Sequence, residues 1–370
     1  MAGMAHSSGN TWFERNPGKT YAMVFLALIL VIDFVAGLTL IPYDYNAFRC
    51  PDAWFHHGLL PDRDALNKWG DRVYEVHTNS LGFKDGMTRR VSARSDHKRI
   101  LILGDSFAEG IGMEWQETFA GMLYDTLRKA GVEVLNAAVV SYSPKLYYLK
   151  TKYLVEVAGL SIDELIVFID SSDPLNEITY RNFQPYDRDI MKKGWTGIRR
   201  FLYRHSFLWQ SITRQVNGMR RNPVADRWSP FMGNALQDET VTEENDFIKA
   251  MAEWSTNRSY YERWGKEGLR LASENMDMLA DLCVAHHIRM SVAVYPWPYL
   301  VLRRDLDNFQ VKYWDGFCTG HRIGFINLFP AFINNTEPRD VVRRMYIPGD
   351  VHWNREGHRH VADTLCTLLR

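Results

Sequence analysis

A serine and a histidine far apart in this chain have the types and neighbours needed to work as a pair. Ser106 closes Gly104-Asp105-Ser106, directly after the apolar run Lys98-Arg-Ile-Leu-Ile-Leu103. A serine hydroxyl is a weak nucleophile until a base removes its proton. His352 lies in Gly349-Asp350-Val351-His352-Trp353-Asn354, and an imidazole can take that proton near neutral pH. Asp350 can orient the ring and stabilise the imidazolium. Together these types allow acyl transfer through an ester on Ser106. Each piece also has a plainer reading. Gly-Asp-Ser suits a turn at a strand end, and Asn354 with Glu356 suits the capped first turn of a helix. The cap and the base are compatible. His358 and His360 fall inside that helix and read as packing or surface residues. Asp350, His352 and His358 do not have a standard metal-ligand spacing.

Such residues react only if rigid elements hold them together. Lys98–Leu103 reads as a buried parallel strand. Glu117 to Ala130 has helical apolar spacing and ends at Gly131. Val132–Asn136 is a second strand, and Pro144 opens a helix running to about Ala158. Glu164–Ile169 is a third strand. After residues 178–262 the rhythm resumes: a helix from Lys266 to His287, a strand Arg289–Tyr295 closed by Pro296, a short strand Gly324–Leu328, and a helix from Asn354 to Leu369. Alternating strands and helices predict a parallel sheet covered on both faces. In such sheets ligands bind outside the carboxyl ends of the strands, where Ser106 sits. Residues 42–95 read as irregular with hairpin signals, of which Tyr74–Asn79 is one. Within the insertion, Thr196 to Val216 is amphipathic and basic, which suits a surface helix pair, a lid or a membrane contact. Gln237 to Asp246 is acidic and reads as a solvated loop.

The two reactive segments, taken together, resemble the SGNH/GDSL hydrolase superfamily. Ile100-Leu-Ile-Leu-Gly-Asp-Ser-Phe-Ala-Glu-Gly110 matches its first block, and Gly349-Asp-Val-His-Trp-Asn-Arg-Glu-Gly-His358 is similar to its last. The likeness covers roughly 98–175 and 285–370. It implies a three-layer α/β/α sandwich with a flavodoxin-like parallel sheet, interrupted by an inserted helical subdomain. It implies Ser106 as nucleophile, His352 as base and Asp350 as its partner, with no metal or organic cofactor. The family also places a Gly and an Asn where they bind the oxyanion. Here Ser141 stands at the Gly position and Ser172 at the Asn position. The resemblance therefore implies oxyanion donors at Ser106, Ser141 and Ser172, with Asn176 as a substitute side chain. The Asp-x-His-Trp spacing, and Thr78-Asn-Ser-Leu-Gly-Phe-Lys-Asp85 upstream, resemble membrane-anchored cell-envelope enzymes related to alginate O-acetylation.

Composition narrows the setting. Lys+Arg and Asp+Glu both number 44, so no net field draws the chain to nucleic acid. The four cysteines form no CxxC pair, which argues against zinc; outside the cytoplasm they allow one or two disulfides. Tyr21 to Ile41 is apolar over a length that spans a bilayer core. Its one charge, Asp33, costs roughly 3 kcal/mol at the bilayer centre. A buried helix and a cleaved signal peptide are the alternatives, although Val35-Ala36-Gly37 fits a cleavage site poorly. Arg15 and Lys19 precede the span, so the positive-inside rule leaves residues 1–20 in the cytoplasm. The expected order is a cytoplasmic tail (1–20), a signal-anchor helix (21–41), a linker and N-terminal extension (42–97) and an extracytoplasmic or periplasmic SGNH-like domain (98–370) with an insertion at about 178–262. The expected partners are an acylated carbohydrate or another small ester, the membrane, and a membrane acyl-donor protein if the acyl group is transferred. Three functions are open: an esterase, an O-acyltransferase to a sugar hydroxyl, and a non-catalytic, membrane-tethered glycan-binding or assembly protein.

Overall fold

A computed structural model describes residues 11–40, 45–186, 251–334 and 336–369, and between them Leu202, residues 206–209, Ser211 and Ile212. The acidic stretch Gln237–Asp246 and most of Thr196–Val216 lie outside the described residues. The chain divides into two compact units, 1–44 with 194–228, and 45–193 with 229–370. In the first, α1 (Pro17–Leu40) is long and apolar enough to cross a membrane, with a mean hydropathy of 2.5 and its apolar side chains almost all exposed. Its one acid, Asp33, accepts a hydrogen bond from the Leu208 N–H at 2.7 Å. A polar partner of this kind offsets part of the cost of an acid in an apolar span.

The second unit is built on one sheet. Its strands in chain order are β1 (Arg49–Asp52), β2 (His56–Leu59), β3 (Arg63–Trp69), β4 (Arg72–Thr78), β5 (Lys84–Asp85), β6 (Lys98–Leu103), β7 (Val132–Asn136), β8 (Glu164–Ile169), β9 (Arg289–Val294) and β10 (Gly324–Asn327). β1 and β2 form a separate hairpin; the other eight join in the order β10-β9-β8-β6-β7-β5-β4-β3. The five strands β7-β6-β8-β9-β10 are parallel. Ranked by sequence, they run 2-1-3-4-5, the flavodoxin-like doubly wound order. All six residues of β8 and five of six in β6 are buried, as expected of strands covered on both faces.

The main helices are α2 (Ser106–Glu109), α3 (Phe119–Leu127), α4 (Pro144–Lys152), α5 (Asp173–Tyr180), α6 (Lys266–Ala285), α7 (Phe309–His321), α8 (Pro338–Met345) and α9 (Arg355–Leu368). α3 packs against α9, and α9 against α8; α4, α5 and α6 pack together. Right-handed crossovers in this strand order place these groups on opposite faces, which makes the three-layer sandwich. The described ends of the insertion are helical: α5 runs to Tyr180, and helix is present at residues 251–253 and again from Arg258, where Tyr261–Gly265 is a π-helical turn.

One expectation needs correction. Among the described residues, 45–95 hold the expected hairpins but are not otherwise irregular, and the unit that carries the sheet starts at Tyr45, not at residue 98. β3, β4 and β5 extend the central sheet, with β5 antiparallel to β7 at Lys84↔Asn136. β4 buries Tyr74, Val76 and Thr78 on one face only, a period of two. β3 is an edge strand carrying Arg63, Asp64 and Lys68, charges that guard an open edge and dilute the apolar signal. No disulfide joins the four cysteines.

Candidate active site

Ser106 is held where β6 ends, beside the strand-order reversal. Gly104 must be glycine because a Cβ there would lie 2.6 Å from the Ala108 Cβ and 2.9 Å from the Phe168 Cβ. Asp105 caps α2 by accepting the Phe107 N–H at 3.0 Å. The Ser106 Oγ lies 2.8 Å from His352 Nε2, and His352 Nδ1 lies 2.5 Å from Asp350 Oδ1. A carboxylate can only accept, so Nδ1 carries the proton and Nε2 is free to accept from the serine. Ser106 is 8% exposed and His352 4%. The ring is walled by Phe107 and Trp69, at centroid distances of 4.7 and 5.3 Å. Sequence reading placed these three residues in one site; the structure brings all three within hydrogen-bond reach.

Asp350 has a partner the sequence did not disclose. Trp69, at the end of β3, donates its indole N–H to Asp350 Oδ2 at 2.6 Å. The His352 backbone N–H donates to Oδ1 at 2.9 Å. Burial would raise the Asp350 carboxyl, but the charge of His352 and these hydrogen bonds outweigh it and hold it below its ordinary value. Trp69→Phe keeps a ring against His352 and removes one charge-assisted hydrogen bond. We expect kcat/KM for a small ester to fall about tenfold, checked by steady-state kinetics.

The expected oxyanion donors fare unequally. Among the described residues, no hydrogen bond engages the N–H of Ser106 or of Ser141. Ser141 adopts φ 63°, the left-handed region, where the family resemblance expects glycine. A non-glycine residue there costs roughly 1–2 kcal/mol, while a glycine would add roughly 0.5–1 kcal/mol of chain entropy to be lost on folding. Ser141→Gly is therefore expected to stabilise the fold by about 0.5–1 kcal/mol, measured by denaturant unfolding of the full chain. Ser172 does not fit its expected role. Its hydroxyl donates its single proton to Asp170 Oδ1 at 2.7 Å, so it has none left for an oxyanion. Asn176, in the first turns of α5, approaches it with Nδ2 at 3.4 Å from Ser172 Oγ. An amide carries two N–H groups, so this contact leaves Asn176 with a donor to spare, which Ser172 lacks.

Beneath these loops lies a buried polar layer. Asp170 also accepts from the Trp297 indole N–H at 3.0 Å, and Tyr295 donates to Asp105 Oδ1 at 3.1 Å. Burial, then the charge and hydrogen bond of Asp170, push the Asp105 carboxyl well above its ordinary value. The layer ties the loop after β6 to those after β8 and β9. His358 is a packing residue: its buried Nδ1 accepts the Phe119 N–H at 3.3 Å, and burial pushes its imidazole down to about 3. His360 bonds the Ala331 carbonyl at 2.6 Å.

Fold and site together define a doubly wound α/β protein with a buried Ser–His–Asp hydrogen-bond chain at its switch point. No protein-family model and no curated protein matches the chain. Among solved structures it is similar to TesA, with 10% identity over 74% of this chain and 98% of that one, at a TM-score of 0.40. It is similar to a GDSL-like lipase from Bacteroides thetaiotaomicron VPI-5482, with 12% identity over 75% and 91% of the two chains, at 0.37. It is also similar to a member of the lipolytic protein G-D-S-L family from Veillonella parvula DSM 2008, with 10% identity over 73% and 97%, at 0.37.

Proposed function

We propose that the chain is a serine acyl-ester hydrolase of the SGNH/GDSL type that works through an acyl-Ser106 intermediate. The observation that carries this reading is the unbroken chain from Asp350 through His352 to Ser106. As the Ser106 Oγ bonds to the ester carbonyl carbon, its proton passes to His352 Nε2. The negative charge collects on the carbonyl oxygen, served by the N–H groups of Ser106 and Ser141 and by the Asn176 amide. The carbon–oxygen bond to the alcohol then breaks, and His352 gives its proton to the departing oxygen. Water attacks the acyl-enzyme, again losing a proton to His352. The tetrahedral adduct collapses to carboxylic acid, and the proton returns to Ser106. A non-catalytic glycan-binding protein would have no use for a correctly tautomerised histidine between these two partners.

The substrate we assign is an acyl group on a cell-envelope or exported polysaccharide. The span in α1 supports this, since Arg15 before it and Lys19 in its first turn would keep the N-terminus in the cytoplasm and carry the second unit outside. Full-length chain in detergent, given an acetylated oligosaccharide, is expected to release acetate. Transfer of the acetyl to an added unacetylated oligosaccharide, seen as a mass gain, would make it an O-acetyltransferase instead. Neither activity, on this or on a small aryl ester, would overturn the reading.

A further inference from the structure

His57, in the extension ahead of the sheet, is poised to act on the oxyanion site without touching it. Its Nε2 lies 2.8 Å from the Val140 carbonyl oxygen. A carbonyl only accepts, so Nε2 carries the proton. Desolvation among Tyr142, Tyr180 and His56 pushes the imidazole down to about 3, which keeps the ring neutral with that one proton. The His56 Nδ1 then donates to the bare His57 Nδ1, at 2.8 Å.

The Val140 carbonyl belongs to the same planar peptide as the Ser141 N–H. In a trans peptide these two groups point in opposite directions. Fixing the carbonyl therefore fixes the N–H. The peptide has reason to move. Ser141 sits at φ 63°, and turning this peptide over would return φ to the negative region that a side chain prefers. It would also aim the Ser141 N–H the opposite way. The neighbouring peptide is gripped as well: the buried Glu109 Oε2 accepts the Val140 N–H at 2.8 Å, and Arg49 holds that carboxylate at 2.9 and 2.5 Å.

We propose that His57 is a positioning residue that locks the Val140–Ser141 peptide so that the Ser141 N–H stays aimed at the developing oxyanion. The inference rests on the reading of Ser106 as nucleophile. It ties the extension to catalysis, because neither His57 nor Arg49 belongs to the segments that carry Ser106 and His352.

The test is ester-hydrolysis kinetics of the full chain with three substitutions. His57→Phe keeps a ring and loses the donor. His57→Gln extends an amide N–H to about the position of Nε2, and His57→Asn stops one methylene short. An oxyanion donor is worth about 10²–10³-fold in kcat when removed. A donor freed to turn away should therefore cost about 10–100-fold. That loss is expected in kcat with little change in KM for His57→Phe and His57→Asn, while His57→Gln stays near wild type. Adding Ser141→Gly to His57→Phe, which removes the pressure to flip, is expected to restore part of the loss. Equal kcat in the Gln and Asn variants, whether both high or both low, would overturn the proposal, and that pair decides even if His57→Phe does not fold. Ser106→Ala is measured alongside. Retained activity there would overturn the nucleophile itself, whereas an inactive Ser106→Ala beside a fully active His57→Asn would overturn only the role of His57.

Discussion

Ser106→Ala is expected to lower kcat by about 10⁶-fold while leaving the fold in place. The size follows from the kind of step removed. Without an oxygen at this position no acyl-enzyme forms, and water must attack the ester without a covalent intermediate. The fold should tolerate the change because the Ser106 hydroxyl makes only a 2.8 Å contact with His352 Nε2 and a long 3.4 Å contact with Asp105 Oδ2. Its small, buried side chain becomes a methyl group. Thermal unfolding within a few degrees of wild type, together with loss of activity, separates chemistry from stability. A variant that keeps more than a few per cent of wild-type turnover would remove Ser106 from the reaction.

Asp350→Asn is expected to cost about 10⁴-fold in kcat. The amide that replaces the carboxylate can offer an N–H to His352 Nδ1. The ring then prefers its proton on Nε2, where it can no longer accept from Ser106. Trp69 adds to the effect, because its indole N–H at 2.6 Å and the His352 backbone N–H at 2.9 Å both need acceptors that an amide supplies only in part. The same carboxylate also links stability to pH. Its folded-state pKa lies below its unfolded value. It therefore contributes stability above the unfolded value, and this is lost as pH falls through the folded one. The Asp350→Asn variant should be less stable near neutral pH and lose less on acidification. Kinetics at neutral pH and unfolding midpoints across the acid range check both parts.

The legible portions of this protein share a physical cause. β6 and β8 carry continuous apolar runs, Ile100–Leu103 and Leu165–Ile169, because burial on both faces leaves no polar alternation to blur them. Ser106, Asp350 and His352 were readable since each lies in a short recognisable segment at a strand end or just before a helix, even though 246 residues separate Ser106 from His352. What escaped was long-range. Trp69 meets Asp350 across 281 residues, and His57 meets Val140 across 83. The first exists because antiparallel strands add to the edge of a parallel sheet, the second because the separate β1–β2 hairpin packs against the loop after β7, and no local pattern announces either. β3 and β4 were weak signals because a strand buried on one face alternates polar and apolar residues, and β3 is also an edge strand. Ser172 shows another limit. Its residue type admits an oxyanion donor, but the hydroxyl has one proton and Asp170, two residues away, takes it. At Ser141 the structure supplies the reason the resemblance expects glycine: φ is 63°, in the left-handed region.

The most direct test is covalent. The full chain is treated with a fluorophosphonate probe, digested, and the modified residue is located by mass spectrometry. The expected result is a single phosphonylated site at Ser106 that disappears in His352→Ala. Labelling at another serine, or undiminished labelling of Ser106 without His352, would contradict the nucleophile–base pair on which the proposed function stands.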